Sequence, residues 1–348
     1  MPFLEEGAGE KLQNVLKSGH FNATSSRDCI ESAEFIIAII GTPVDEHLNP
    51  DPESIIRVLF ELKPHFRTNQ LLILRSTVFP GVTKRVEEWV ANNVPGMTVT
   101  FCPERIAEGK AMEELYSLPQ IIGARDEFAA NWSSQLFSKL TNSVIVTTPE
   151  EAELAKLFTN AWRYIKFAAV NQFFMMANDY GIDFEEVRKA VSQDYPRAAD
   201  MPSAGFAAGP CLFKDTMQLA AFSNNTFALG HSSMLVNEGL PLYVVQQIEK
   251  KYDLKNLTVG ILGMSFKPEV DDKRSSLSYK LRRILQFKAK DVICSDPFVV
   301  DPKLVNLEMV LSNSDLIIIG TPHSQYKKIE FKQPVIDVWN LTGKGVLI

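Results

Sequence analysis

Short apolar runs alternating with helical patterns constrain this chain more than any other feature. Residues 34–41 (EFIIAIIG) form a continuous apolar run ending in Gly-Thr-Pro. Such a run reads as a strand buried on both faces, the habit of parallel sheets. Similar runs follow at 71–74, before Arg-Ser-Thr, and at 97–101, before Cys-Pro-Glu, with shorter ones at 121–123 and 143–147. Helical patterns at 52–62 and 82–92 separate the first three. This β/α alternation predicts a doubly wound sheet, in which ligands sit beyond the carboxyl ends of the strands. The turns Gly41-Thr42-Pro43, Ser76-Thr77 and Pro103-Glu104 all fall on that edge.

The pattern changes at Pro149. Residues 150–180 contain neither Pro nor Gly, and Leu154, Leu157, Phe158, Ala161, Ile165 and Ala168 recur near helical spacing. A helix of about 30 residues spans roughly 45 Å, longer than one layer needs, which predicts a connecting or dimer-forming helix. A loop rich in Pro, Gly and Ala (195–210) leads to Cys211, with helices expected at 214–222 and 227–250. Alternation resumes with strands at 257–263, 291–294, 316–320 and 335–337 and a helix at 276–288. The expected organisation is an α/β domain over 1–148, a helical domain over 149–250 and a second, smaller α/β domain over 251–348.

Composition removes several classes of function. Lys plus Arg total 36 against 42 Asp plus Glu, a net charge of -6, which gives no general attraction to nucleic acids or anionic membranes. The 4 cysteines are far apart and form no C-x-x-C pair, so neither a zinc ribbon nor a disulfide framework is expected, and a reducing cytoplasm fits. No apolar run approaches the ~18 residues of a membrane span, and Met1-Pro-Phe-Leu-Glu-Glu does not read as a signal peptide. Without H-E-x-x-H, clustered His or a P-loop, neither metal nor ATP chemistry is expected. Gly7-Ala-Gly9 lacks the third glycine of a dinucleotide fingerprint and follows no strand, and Gly260-Ile-Leu-Gly263 is no fingerprint either.

Five groups of residues could carry chemistry. Cys211 stands between a small-residue loop and a helix start, with Lys214 and Asp215 just beyond. It reads either as a nucleophile or as a buried structural thiol. Lys156 and Asn160, four apart on the long helix, share a face, which is either an oxyanion-stabilising pair or a solvated surface. Glu104 and Glu108 follow a strand end and would share a face if helical, offering a general base or merely exposed carboxylates. Thr77 reads equally well as a site residue or a helix N-cap. The segments Phe266-Lys267-Pro268 and Asp271-Asp272-Lys273-Arg274 form a charged cluster after a strand, suited to phosphate or nucleotide or simply a polar loop.

Seven ordered segments, FIIAIIGTP, LRSTVFPG, CPERIAEGKAMEEL, ELAKLFTNAW, GPCLFKD, GMSFKPEVDDKRSS and DLIIIGTPH, resemble the UDP-glucose/GDP-mannose dehydrogenase family over nearly the whole chain. The resemblance implies two Rossmann-like doubly wound domains joined by a helical domain with a long connecting helix. It implies two NAD-dependent oxidations that carry the C6 alcohol of a UDP-sugar to the carboxylate, with Cys211 forming a thiohemiacetal and then a thioester. By the same resemblance Lys156 and Asn160 stabilise oxyanion character, Asp215 and Thr77 hold a water or proton relay, and Glu104 assists thioester hydrolysis. Arg105, Ile106, Ala107 and Glu108, with Phe206 and Lys267, would hold the UDP-sugar; Thr42, Pro43, Ser76 and Arg274 would meet the NAD. Glu108 agrees with the glucose-type pattern, and a homodimer is expected.

The resemblance also carries a departure. Glu5-Glu-Gly-Ala-Gly-Glu-Lys-Leu aligns with a helix that follows the first β-α-β-α unit in the family. The first Rossmann domain is therefore expected to lack its N-terminal part, roughly 60 residues. Strand 34–40 would then present an open apolar edge, and the chain could be a nucleotide-sugar-binding fragment unable to bind NAD.

Overall fold

The computed structural model describes residues 4–42 and 51–348; Pro43 lies outside them. The chain divides into two units, Met1–Asn160 with Lys214–Thr226, and Ala161–Phe213 with Phe227–Ile348.

In chain order the first unit holds α1 (Ala8–Lys17), β1 (Phe35–Ala38), α2 (Ser54–Leu62), β2 (Leu71–Leu74), α3 (Val82–Asn93), β3 (Thr98–Phe101), α4 (Ala111–Ser117), β4 (Gln120–Gly123), α5 (Glu127–Phe137), β5 (Val144–Thr147) and the start of α6 (Pro149–Asp179). The strands line up in the order β1-β2-β3-β4-β5. Every residue of β2 and β4 is buried. Side chains alternate across the sheet: Leu72 and Leu74 join a core with Val82, Val86 and Phe101, while Leu71 and Ile73 join the opposite one with Ile122 and Phe137.

The sheet is not wholly parallel, as the sequence had implied. β3 and β4 meet antiparallel at Phe101 and Gly123, whereas the other pairs are parallel. The link from β3 to β4, residues 102–119 with the 7-residue α4, is long enough for a crossover, so its length does not dictate the antiparallel pairing. β1 lies at the end of the strand order, and near it Ile37 and Ile39 are 43% and 78% exposed, so the apolar edge expected there is present among the described residues.

The opening segment is built into this unit. Gly7 caps α1 with φ 75°, and the Glu5 carboxylate accepts from the N–H groups of Gly109 (2.8 Å) and Ala111 (2.7 Å) at the start of α4. Thr77 is not the cap of α3; Gly81 is, with φ 94°. The donors there are satisfied from a distance in sequence, since the buried Glu153 of α6 accepts from Gly81 N–H at 2.7 Å and Thr83 N–H at 2.8 Å. Glu153→Ala removes both acceptors and is expected to cost about 2 kcal/mol. Hydrogen exchange at the Gly81 and Thr83 amides checks this: unchanged protection would refute the anchoring role.

The second unit takes the remainder of α6, then α7 (Phe184–Ser192), the first residues of α8 (Leu212–Phe222), α9 (Ala228–Lys251), β6 (Thr258–Leu262), α10 (Leu277–Gln286), β7 (Asp291–Ser295), α11 (Leu307–Asn313), β8 (Leu316–Ile319) and β9 (Val335–Ile336). Its sheet runs β7-β6-β8-β9, with all pairs parallel. A buried polar network ties its helices to the loop before Cys211. Asn171 donates to Gly205 C=O and Asn237 Oδ1, both at 3.0 Å, and accepts from Gly205 N–H at 3.0 Å; Asn237 donates to Tyr164 C=O at 3.1 Å. Gly205 has no room for a side chain, because a Cβ would lie 2.3 Å from the Trp339 ring.

Candidate active site

Within the first unit, α6 and α8 bring polar side chains together in the interior. Lys156 and Asn160 are only 8% and 4% exposed, so the face they share is buried, not solvated. Asn160 donates through Nδ2 to Asp215 Oδ2 at 2.6 Å. The Lys214 ammonium lies 3.6 Å from Asp215 Oδ1, and that oxygen accepts no hydrogen bond. Lys214 also donates to Thr42 C=O at 3.3 Å, and the Thr42 hydroxyl donates to Thr77 C=O at 2.5 Å. Thr42, Thr77, Asn160, Lys214 and Asp215 are thus linked by contacts, although they come from four stretches of chain.

Burial pushes the Asp215 carboxyl above its ordinary 3.8, against the pull of Lys214, Lys156 and Asn160. A carboxyl raised on folding adds stability that is complete below its unfolded pKa and lost as pH rises through the folded one. Above its unfolded pKa the carboxyl therefore opposes folding. Asp215→Asn is expected to raise the thermal midpoint at pH 7 and to lose that advantage below pH ~4, while lowering turnover. Melting curves at both pH values decide it, since an equal shift at both would mean that titration plays no part.

Cys211 is exposed and directly precedes α8, which removes the reading of a buried structural thiol. Two other cysteines are unsuited to nucleophilic work: Cys102 and Cys294 are buried, and desolvation pushes each thiol up to about 12.

Glu104 and Glu108 do not share a helical face, because residues 102–107 are irregular and 108–109 form a turn. Glu104 pairs with the buried Arg75 at 2.5 Å and accepts from Arg105 N–H (2.7 Å) and Ile106 N–H (3.0 Å). Ala107 N–H donates to Glu114 at 2.6 Å. The backbone donors expected to hold a substrate at Arg105, Ile106 and Ala107 are therefore engaged inside the loop.

In the second unit Phe206 is buried edge-on against Trp339, with ring centroids 6.2 Å apart; it is core first. Its loop packs on the segment after β6. Gly209 N–H donates to Ser275 C=O at 3.4 Å, and a Cβ on Gly209 (φ 108°) would lie 2.6 Å from the Phe266 ring. The structure thus brings the Phe206 loop and the Phe266-Lys267 segment together. Arg274 pairs with Asp272 at 2.7 Å. Sequence reasoning missed the support beneath this segment: buried His323 contacts Asp296 Oδ2 at 3.1 Å through Nε2 and accepts from Glu269 N–H at 3.1 Å through Nδ1. It also missed Asp28, Glu31 and His65, whose ligand atoms lie within 4.8 Å of one another; Glu31 is paired with Arg67 at 2.6 Å.

A nicotinamide dinucleotide can be tested against these residues. At the carboxyl ends of β1 and β2, Thr42, Ile55, Val78 and Phe79 line a recess with Gln218, whose buried Oε1 has no hydrogen-bond partner. The recess, which Asp51 also lines, has a volume of only about 10 Å³, too small for a nicotinamide ring, so it offers the cofactor's amide an acceptor only if its walls part. Helix N termini are the usual pyrophosphate seats, but those of α3, α4 and α5 already receive the carboxylates of Glu153, Glu5 and Asp126. Ser76 lies at the same strand edge as Thr77.

Comparisons with known proteins agree along the chain. The model of the UDP-glucose/GDP-mannose dehydrogenase family, NAD binding domain, matches residues 1–141; that of its central domain matches 150–238, and that of its UDP binding domain 260–344. The first match does not bear out the expectation that the N-terminal part of the NAD-binding domain is lacking, and the fragment reading falls with it. The UDP-N-acetyl-D-mannosamine dehydrogenase of Pyrococcus horikoshii is 26% identical, over 99% of this chain and 82% of that protein. A solved structure of the P. horikoshii enzyme superposes with a TM-score of 0.89 at 25% identity, covering 97% of this chain and 85% of the other. A UDP-glucose dehydrogenase structure from Pyrobaculum islandicum gives 0.88 at 27% identity, covering 96% and 83%.

Proposed function

The chain belongs to the UDP-glucose/GDP-mannose dehydrogenase family and is an NAD-dependent nucleotide-sugar dehydrogenase, and from that premise we propose that it oxidises the C6 alcohol of a UDP-N-acetylhexosamine to the carboxylate. The observation that carries the site is the buried contact of Asn160 with Asp215, beside Lys156 and Lys214. When bound, NAD accepts the hydride of each oxidation. Cys211 adds to the C6 aldehyde and retains it covalently until water opens the thioester. Lys156 and Asn160 stabilise the oxyanion that forms as the carbonyl is attacked. Asp215 and Thr77 hold the water or relay its proton, and Glu104 orients the hydrolytic water. Arg105, Ile106, Ala107, Glu108, Phe206 and Lys267 belong to the sugar-nucleotide side, and Thr42, Pro43, Ser76 and Arg274 to the cofactor side.

The relatives' names favour an N-acetylmannosamine-type substrate. A second reading, UDP-glucose, rests on Glu108. Incubating the full chain with NAD and, separately, UDP-N-acetylmannosamine, UDP-N-acetylgalactosamine and UDP-glucose tests both. The expected result is two reduced nicotinamides per sugar, fastest with N-acetylmannosamine. No reduction with any of the three, with UDP shown to bind, would overturn the reading.

The division into 1–148, 149–250 and 251–348 goes with this reading. So does a homodimer, supported by the exposed Trp162, Phe173 and Met176 on one face of α6 and by the exposed Tyr180 just after its end. None of the four cysteines is in a disulfide, which supports a cytoplasmic site of action. Among the described residues no helix is long and apolar enough to cross a membrane.

A further inference from the structure

The second unit carries a cationic cavity that the dehydrogenase chemistry does not use. It has a volume of about 450 Å³ and lies between α10 and the segment after β7, the strand at the edge of its sheet. Arg282 and Arg283 enter it from α10, Lys273 from the segment before that helix, and Lys303 from the segment after β7. Lys267, which lies in the same connection between β6 and α10 as Lys273, does not line it.

The single carboxylate in the cavity, Asp301, is already satisfied. It accepts from the Tyr279 hydroxyl at 2.7 Å and from Lys303 N–H at 3.0 Å, with the Lys273 ammonium 3.9 Å away. The Lys303 N–H and the Tyr279 hydroxyl hold it below the ordinary carboxylate range. Among the described residues no carboxylate comes within 4.0 Å of the charged nitrogens of Arg282, Arg283 or Lys303. The Arg282 Nε–H is moreover buried without an acceptor. A buried donor left over is costly unless a ligand accepts from it, and a guanidinium is shaped to give paired hydrogen bonds to a phosphate. In a chain of net charge -6, this local excess of positive charge is not the background of the surface.

We propose that this cavity is a binding site for a phosphate dianion, either free orthophosphate or the phosphomonoester of a small metabolite, separate from the sugar-nucleotide site. Arg282 supplies the buried donor and Arg283 and Lys303 the surrounding charge.

Calorimetric titration of the full chain with inorganic phosphate and with glucose 1-phosphate, at constant ionic strength set with chloride, tests it. Both ligands are expected to bind if the dianion is what is recognised. Tighter binding of glucose 1-phosphate assigns the site to phosphomonoesters, and tighter binding of phosphate to the free ion. The exposed pair Arg283→Gln and Lys303→Gln is expected to weaken binding at least tenfold while UDP affinity stays within twofold. Arg282→Gln should do the same, with the exposed pair as the control against misfolding. Absence of binding in the unaltered chain, or binding insensitive to the exposed pair, would overturn the proposal. So would loss of phosphate binding on Lys267→Ala alone, because the anion would then be occupying the sugar-nucleotide site. These titrations do not depend on turnover, so they stand or fall separately from the proposed reaction.

Discussion

Replacing Cys211 with Ala is expected to lower conversion of the UDP-sugar alcohol to the carboxylate by on the order of 10³-fold or more, with UDP affinity unchanged within about twofold. The size of the effect follows from what the thiol does. Without covalent capture the aldehyde is released or must be hydrated, and no thioester forms for water to open. The exposed thiol directly precedes α8, and the proposed reaction uses it as the nucleophile. Cys29→Ala is the control, since Cys29 is also exposed and has no part in the reaction. Nicotinamide reduction and calorimetric UDP binding, measured on both variants, separate chemistry from binding. A Cys211→Ala protein that retained a tenth of its turnover would remove the thiol from the pathway.

Asn171→Ala is expected to be the most damaging single change to the second unit. It deletes both donors and the acceptor that hold Gly205 and Asn237, leaving the buried Gly205 N–H and C=O and the buried Asn237 Oδ1 without these partners. At about 1–3 kcal/mol for each unsatisfied group, partly relieved by relaxation, a loss of about 3–4 kcal/mol follows. That corresponds to a drop of roughly 8–12 °C in apparent melting temperature for a unit of this size. Gly205 cannot shift to compensate, because Trp339 fills the space beside it. Thermal melts and exchange at the Gly205 amide check this, and a drop under 2 °C would mean that water replaces the lost contacts.

The strands were legible almost residue by residue, since a strand buried on both faces leaves a continuous apolar run such as LLIL at β2. The direction of β4 was not, because four apolar residues look alike whichever way they run. Helices α4 and α11, each 7 residues long, are too short to establish a helical period. In the site, the spacing of Lys156 and Asn160 predicted a shared face, but only the packing of α6 against α8 shows that this face is interior. The contact of Glu5 with the start of α4 and the His323–Asp296 pair join positions far apart in sequence, and no local pattern announces them. Gln218 was invisible for a related reason: its significance is an unmet hydrogen bond, which a sequence does not display.

The distant anchoring of α3 has a consequence for how the chain acquires its structure. Most helix caps come from a neighbour a few residues away and form as the helix does, but the acceptor for Gly81 and Thr83 lies about 70 residues further along. During synthesis, with the chain emerging from its N terminus, α3 exists for many seconds without that partner. Closing so long a loop carries an entropic cost, so the contact belongs to the late, non-local part of folding that sets its rate. The arrival of α6 both completes the sheet's helical cover and closes the open end of a helix made long before it.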